Sequence, residues 1–466
     1  MAKAGPSIAC GHERPWLSAP SLAVDRPDWF FGRPRCILNS GGLRPLFGLV
    51  IGGTYPREGT MIQAMSRAEA LAEIARIAAN PLGSVRRWKE ETGGKVLGCL
   101  SCMPFFCPEE LVYAAGIHPV GIWGAETPVF LADAKLQSFA CSMARTSLEM
   151  ALRGWLDVCD GFMFPSTCDA FQNLGEVWKG CLEVPCFEVV FPRQTSRTSA
   201  AAFLRSRLEK LKAELESFTG VAIDGESIRK ACALYNENRR LLRELDRLRS
   251  LDPAFLSGRQ MAEIVLAVCF APRQACAEWL RALLQTGPGE RRGRSLPAGQ
   301  RNGRLRIFLG GVMPRPLSIL NFLEERGVWI VGDDMGLGSL FYSIDLPEED
   351  GSLDGLARAY LRQPACSTIH DPTLERAGAV LSRVRETGAR AVILFIQKFC
   401  EPELFDLPAL KDRLEREGVP VLALETELCL SETGPLRNRI EAFLETLRDQ
   451  PATGESDHVH GRRDQP

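Results

Sequence analysis

Short apolar runs alternate with amphipathic segments over most of the chain, which predicts strands that alternate with helices. Strand-like runs stand at 96–98, 117–123, 161–165 and 184–191, and again at 305–311, 328–331, 391–396 and 419–424. Segments with helical periodicity separate many of these runs. Because strands in such a rhythm pair in parallel, the pattern predicts an α/β protein with two lobes.

The pattern changes between the two lobes. Residues 201–218, 227–251 and 260–285 carry helical periodicity with Lys, Arg and Glu on their outer faces, which is typical of a solvated helical segment. A stretch rich in Gly, Pro and Arg then marks a domain boundary. We predict a first lobe with a leading helix at 61–200, a helical segment at 201–285, a linker at 286–304 and a second lobe at 305–450.

Both ends of the chain differ from the lobes. Residues 1–60 are rich in Pro, Gly and Arg and lack a sustained period, so we predict an irregular N-terminal extension. Met61 stands just before an amphipathic stretch at 68–78, and translation from Met61 is a hypothesis that follows from this. Residues 451–466 are polar and are predicted to form a disordered tail.

Composition narrows the class of protein. The chain has 466 residues, of which 45% are hydrophobic and 24% charged, and these values are ordinary for a soluble globular protein. A formal net charge of -2 gives no support to a nucleic-acid partner. The N-terminus lacks a signal-peptide core, and the apolar run at 264–271 is too short to span a bilayer. We expect a cytoplasmic protein without a membrane partner.

Cysteine placement is the main chemical signal. The chain has 16 cysteines and 5 histidines, and in a reducing compartment clustered cysteines more often serve metal or redox chemistry than disulfides. Cys102, Cys168 and Cys400 each follow a predicted strand. Strand ends of parallel sheets meet at one edge, so these thiols could share a cleft and suit an iron–sulfur cluster better than a closed zinc site. Spacing alone leaves buried, inert thiols as the alternative.

Other chemistries have weaker constellations. The sequence has no G-x-x-x-x-G-K-[ST] motif, so no nucleotide site of the P-loop type is expected. His118 and His370 are each isolated, which favours structural roles over a nucleophile triad. Asp333-Asp334 could line a site, although a solvated or capping turn is the preferred interpretation.

Four blocks of sequence along the chain carry a resemblance to a known family. They are GCLSCMPFFCPEELVYAAGIHPVGIWG around Cys102, FPSTCDAFQNL around Cys168, VGDDMGLGS, and QKFCEPELFDLPALKDRLEREGVPVLALETE around Cys400. Together these blocks resemble the 2-hydroxyacyl-CoA dehydratase family, which includes related subunits of benzoyl-CoA reductase. The resemblance covers about residues 90–445. Leu337 and Leu340 depart from it, because many relatives have a cysteine or an arginine there.

The resemblance implies two flavodoxin-like, doubly wound lobes with a helical insert. It also implies a [4Fe–4S] cluster held by Cys102, Cys168 and Cys400. Cys102 matches through the pattern Cys-x-Pro-x-aromatic-x-Pro-x-Glu-Leu. Cys99 and Cys107 flank that residue and are alternative first ligands.

The activity that the resemblance implies is a radical dehydration. One electron placed on the thioester carbonyl of a 2-hydroxyacyl-CoA makes a ketyl radical, which acidifies the β-hydrogen. The implied partners are the acyl-CoA substrate, a paralogous subunit or a second copy of the chain, and an iron–sulfur ATPase activator.

Three alternatives to this activity stay open. They are a benzoyl-CoA reductase-type subunit, a non-catalytic electron-transfer protein on the same scaffold, and a zinc-bound or metal-free structural protein. The general acid or base is unassigned, because six carboxyl groups lie near predicted strand ends. They are Glu109, Glu110, Asp169, Asp333, Asp334 and Glu401.

Overall fold

The computed structural model of the chain describes six ranges of residues. They are 65–100, 106–285, 304–313, 315–369, 375–428 and 433–449. The N-terminal extension, most of the linker, the C-terminal tail and the position of Cys102 lie outside these ranges. The expectations for those parts therefore stay predictions.

The described chain opens with two helices whose ends follow from local chemistry. In α1 (Arg67–Ala79), the Ser66 side chain accepts the Glu69 backbone N–H, and the Glu69 carboxylate accepts the Ser66 backbone N–H at 2.8 Å. This reciprocal pair satisfies two donors that the helix itself leaves free. The next helix, α2 (Pro81–Thr92), ends at Gly93, whose positive φ of 67° suits a residue without a Cβ.

Two α/β lobes with a helical segment between them follow these helices. The first lobe contains β1 (Lys95–Leu100), α3 (Glu109–Ala114), β2 (Ile117–Ile122), α4 (Ser142–Leu152), β3 (Gly161–Pro165), α5 (Asp169–Cys181) and β4 (Cys186–Val189). The helical segment contains α6 (Ala200–Thr219), α7 (Gly225–Leu251), α8 (Gly258–Val268) and α9 (Arg273–Gln285). The second lobe contains β5 (Leu305–Gly311), α10 (Ser318–Glu325), β6 (Val328–Met335), α11 (Leu353–Tyr360), α12 (Glu375–Glu386), β7 (Ala391–Gln397), α13 (Glu401–Arg416), β8 (Val421–Thr426) and α14 (Gly434–Asp449).

The two sheets share one topology. Each has four parallel strands, in the order β2-β1-β3-β4 in the first lobe and β6-β5-β7-β8 in the second. The order reverses direction between β1 and β3 and between β5 and β7, and ligands of open α/β sheets bind at such switch points. The predicted fold class, two flavodoxin-like doubly wound lobes with a helical insert, is thus confirmed.

Close packing at the second switch point requires a glycine. Gly311, the last residue of β5, has a φ of 114°, and a Cβ there would lie 2.1 Å from the carbonyl oxygen of Phe395 in β7. A side chain would force these two strands apart. The carboxyl ends of β5 and β7 are therefore held close to each other.

Several predicted elements need correction. The helix predicted at 260–285 is two helices, because Pro272 separates α8 from α9 and cannot continue the first one. Asp333 and Asp334 do not form a solvated turn but belong to β6, where both are buried. Within the described residues, no helix is both long enough and apolar enough to cross a bilayer.

Candidate functional site

Cys168 lies just beyond the carboxyl end of β3, at the residue that caps the N-terminus of α5. Burial raises the pKa of its thiol. The backbone N–H groups of Phe171 and Ala170 and the Thr167 hydroxyl act in the opposite direction. A helix N-terminus favours negative charge, so this position suits a thiolate that binds a cation.

Cys400 has the same position in the second lobe. It follows β7 and caps the N-terminus of α13. The preceding residue, Phe399, has a φ of 63°, a left-handed conformation that is unusual for a residue with a Cβ. Burial raises the pKa of the Cys400 thiol, and the Glu403 carboxylate and the thiols of Cys141 and Cys168 raise it further.

Cys141 is a third thiol at a helix N-terminus, and sequence reasoning did not single it out. It is buried and caps α4. Burial raises its pKa to about 11, and Cys168 adds to this shift while backbone N–H groups of Ala144 and Met143 oppose it. The Cys168 thiol thus acts on the pKa of Cys141, and both of these thiols act on the pKa of Cys400; we call these three residues the thiol site.

Buried hydrogen bonds join the two lobes beside the thiol site. Ser142, the first residue of α4, donates from Oγ to Oε1 of Gln397 at 3.2 Å. The same Oγ accepts the backbone N–H of Leu428 at 3.0 Å. Gln397, the last residue of β7, donates in turn to Oγ1 of Thr426 at 2.8 Å. These bonds place the start of α4 against the strand end that leads to Cys400.

Arg193 connects the Cys168 loop to a segment of the second lobe. Its Nη1 donates to the carbonyl oxygen of Thr167 and, at 2.8 Å, to the carbonyl oxygen of Thr368. The neighbour of Thr368, Ser367, donates from Oγ to Oε1 of Glu403 at 2.7 Å. Because Glu403 lies in the first turn of α13, a continuous set of hydrogen bonds links the Cys168 loop to the helix that Cys400 caps.

Of the other sequence candidates for the first ligand, the structure describes Cys99 and Cys107. Cys102 is in the stretch 101–105, outside the described residues. Cys99 is buried in β1, and its thiol interacts most strongly with that of Cys107, which raises its pKa well above the ordinary value. Across the described part of the chain, no three His, Cys, Asp or Glu side chains already stand at metal-binding distance.

The carboxyl groups that were candidates for proton transfer divide into buried and exposed ones. Glu109 is buried against Arg273, and Glu110 against Arg239 and the Tyr360 hydroxyl. Such pairs are typical of structural anchors, because a buried carboxylate needs hydrogen-bonded partners.

Asp333 lies within β6, and its carboxylate accepts backbone hydrogen bonds from the residues at and after the end of the strand. Its Oδ1 accepts the backbone N–H of Ser339 at 2.7 Å. Its Oδ2 lies 3.3 Å from Nη2 of Arg249. Asp169 and Glu401, by contrast, are exposed.

Several large apolar side chains that are exposed to solvent lie near Cys141 or Cys400 along the chain. We call six of them the exposed apolar residues: Phe130, Leu131, Phe139, Phe399, Leu404 and Phe405. Phe405 is 84% exposed and Phe139 is 67% exposed. Exposed apolar side chains that form a contiguous patch are typical of interaction surfaces.

Comparison with known proteins identifies the family. The model of the family described as "2-hydroxyglutaryl-CoA dehydratase, D-component" matches residues 104–447, which is more than half of the chain. The chain belongs to this family. The resemblance noted in the four sequence blocks is thereby confirmed, and three of those blocks lie entirely within the matched range.

Individual relatives of the family cover most of the chain. It is 31% identical to the (R)-phenyllactyl-CoA dehydratase beta subunit of Clostridium sporogenes, over 80% of this chain and 96% of that protein. It is 30% identical to the beta subunit of lactoyl-CoA dehydratase from Anaerotignum propionicum, over 82% of this chain and 100% of that protein. It is 26% identical to a benzoyl-CoA reductase subunit of Thauera aromatica, over 82% of this chain and 98% of that protein.

Proposed function

We propose that the chain is a subunit of a 2-hydroxyacyl-CoA dehydratase and binds a [4Fe–4S] cluster. The observation that supports this most strongly is the grouping of Cys141, Cys168 and Cys400. These thiols stand at the N-termini of three helices from both lobes, and Cys168 and Cys400 also follow the carboxyl ends of strands, in a chain of the dehydratase family. Such strand ends are the usual ligand sites of this architecture.

The residues of the thiol site fit an iron–sulfur cluster by their chemistry. Sulfur is the ligand that iron–sulfur clusters take, and backbone N–H groups at helix N-termini stabilise thiolate charge. Cys168 and Cys400 are the two ligands that sequence and geometry both support. We propose Cys141 as the third ligand, because it interacts with both of them, and Cys102, the sequence-based prediction, as the competing choice.

Cys141, Cys168 and Cys400 would hold a [4Fe–4S] cluster, which would supply a low-potential electron and a Lewis-acidic iron. Ser142, Gln397 and Glu403, which lie near Cys141 and Cys400 in the sequence, are buried. Dehydration removes the 2-hydroxyl and one β-hydrogen of the acyl-CoA as water and leaves an enoyl-CoA. The electron that makes the β-hydrogen acidic is regained when the product forms, so the step is redox-neutral overall.

One feature favours dehydration over ring reduction. The relatives named as dehydratases share 31% and 30% identity with the chain, compared with 26% for the benzoyl-CoA reductase relative. The sequence has no P-loop motif, so ATP hydrolysis of that type would belong to a separate protein. We propose an iron–sulfur ATPase activator in that role, and a cytoplasmic location where thiols stay reduced.

A partner subunit is part of the proposal. The phenyllactyl-CoA and lactoyl-CoA relatives are named as beta subunits. The exposed apolar residues, among them Phe130 at 68% and Phe405 at 84% exposure, are apolar surface of the kind that subunit interfaces cover. A paralogous subunit or a second copy of the chain would cover them.

The function is tested on protein purified anaerobically from its native cells, so that a partner subunit is retained. The protein is combined with the proposed ATPase activator, ATP and titanium(III) citrate as reductant, and is incubated separately with (R)-2-hydroxyacyl-CoA esters and with benzoyl-CoA. The masses of the products are measured by mass spectrometry. Loss of one water from a hydroxyacyl-CoA supports a dehydratase. Addition of two hydrogens to benzoyl-CoA would support the reductase instead. A reducible cluster with no turnover of either would favour an electron-transfer protein.

A further inference from the structure

Glu403 is a buried carboxylate next to the thiol site. Its residue is 2% exposed and lies in the first turn of α13, three residues after Cys400. The Glu403 backbone N–H and its carboxylate both act on the Cys400 thiol. A glutamate carboxylate is rarely buried unless it is paired, and this one is buried three residues after a proposed cluster ligand. The hydrogen bonds to its oxygens account for its burial.

The Glu403 carboxylate has two partners. Nη2 of Arg376 lies 3.2 Å from Oε1 and 3.3 Å from Oε2, and Oγ of Ser367 donates to Oε1 at 2.7 Å. Arg376 is itself shared, because its Nε lies 3.3 Å from Asp334 and its Nη1 lies 2.9 Å from Asp406. Three carboxylates therefore surround this guanidinium in the described structure. Its positive charge is divided among them rather than devoted to Glu403.

A fixed negative charge beside a redox centre makes the centre harder to reduce. Reduction adds an electron, and the repulsion between that electron and a nearby carboxylate is strong where water is excluded. Reduction potentials of iron–sulfur clusters respond to net charge, hydrogen bonds and exposure of the site. A carboxylate that is buried acts more strongly than one that is exposed, because solvent screens the latter.

We propose that Glu403 is a positioning residue that keeps the reduction potential of the cluster low by holding a buried negative charge next to Cys400. This inference rests on the proposed cluster. It goes beyond the proposed function because it gives a role to Glu403, a residue of the second lobe that is not a proposed cluster ligand. A low potential is what the proposed chemistry needs, since the electron must pass to a thioester carbonyl. Ser367 and Arg376 keep the Glu403 carboxylate in place.

The test is a redox titration of the anaerobically purified protein, followed by EPR. Glu403→Gln removes the charge at nearly constant volume, and its midpoint potential is expected to shift to a less negative value. Glu403→Asp retains the charge and should stay close to the wild type. Glu401→Gln is the matched control, because Glu401 lies in the same helical turn but is exposed, and its potential should be unchanged.

Each result decides a different claim. A wild-type protein without iron contradicts the proposed function and this inference together. Full iron content with an unchanged potential in Glu403→Gln contradicts the inference alone. Loss of the cluster in that variant, with unchanged circular dichroism, also contradicts it, since Glu403 would then only anchor the loop. If Glu403→Gln fails to fold, Ser367→Ala removes one hydrogen bond from the carboxylate and should make the potential more negative; no shift would refute the inference.

Discussion

Ser142 Oγ donates a hydrogen bond to Gln397 Oε1 at 3.2 Å, and these two residues are 255 positions apart in the sequence. Ser142 directly follows Cys141, and Gln397 precedes Cys400 by three residues. Both side chains are fully buried. This bond therefore joins the residue after Cys141 to the strand that leads to Cys400, and its removal should lower the stability of the protein.

Replacement of Ser142 by alanine should destabilise the protein. The variant leaves Gln397 Oε1 and the Leu428 N–H buried without their present partner, which costs about 2–3 kcal/mol in the free energy of unfolding. Urea denaturation measures this change. Ser206→Ala is the control, since Ser206 is exposed on α6 and its loss should cost less than about 0.5 kcal/mol. Equal midpoints for the two variants would refute the role of Ser142.

Cysteine variants distinguish the ligands of the proposed cluster. Cys168→Ser and Cys400→Ser should each lose most of the bound iron, because a hydroxyl does not replace a thiolate. Cys141→Ser should lose iron to the same extent, whereas Cys102→Ser should retain it. Cys232→Ser is the control, because Cys232 is buried in α7 away from the thiol site. Iron per chain is the measurement.

If Cys102→Ser lost its iron and Cys141→Ser retained it, the third ligand would be Cys102. Equal iron content in the variants of Cys168, Cys400 and Cys232 would remove the thiol site altogether.

The buried pair of Glu110 and Arg239 should behave as a structural anchor. Arg239→Met leaves the Glu110 carboxylate, which is 1% exposed, with the Tyr360 hydroxyl alone, and this should destabilise the fold by about 3–5 kcal/mol. Arg240→Met is the matched control on the next residue, where the ion pair with Glu348 is exposed and contributes at most about 1 kcal/mol. A thermal unfolding temperature that falls equally in both variants would count against the anchor.

His118 should make stability depend on pH below neutrality. Burial lowers its pKa from 6.5 to about 4, while the Phe270 carbonyl oxygen, 3.0 Å from Nε2, partly opposes this. Below pH 6.5 the unfolded chain binds a proton at this histidine that the folded chain does not bind. The free energy of unfolding is therefore unaffected by this group above pH 6.5 and falls by about 3 kcal/mol as the pH drops towards 4. In His118→Gln, urea titrations across this range should show a shallower slope; an unchanged slope would contradict the assignment.

The strands were predictable from the sequence because parallel strands covered on both faces consist of nearly unbroken apolar runs. The run 391–396 predicted β7 to within one residue, and its end predicted the loop of Cys400. The same logic located Cys168 after β3. These residues share one signal, which is a polar or reactive residue at the carboxyl end of a buried strand.

Cys141 could not be found in that way. It follows an irregular segment rather than a strand, and cysteine is not among the residues that favour helix N-caps and would mark one. The bond between Ser142 and Gln397 joins the start of α4 to β7, and no local pattern encodes such a contact between distant residues. The prediction of a solvated turn at Asp333 and Asp334 was wrong for a related reason. Their charges suggest a turn, but ion pairs with Arg249 and Arg376, which are distant in sequence, allow both carboxylates to be buried.

The most direct test of the central claim is the content of iron and acid-labile sulfide after strictly anaerobic purification, with an EPR spectrum of the reduced protein. Our account predicts about four of each per chain and the signal of a [4Fe–4S] cluster. A folded protein that holds no iron, even after reconstitution with iron and sulfide, would contradict it. The cysteines of the thiol site would then be structural, and the proposed dehydration would have to be abandoned for this chain.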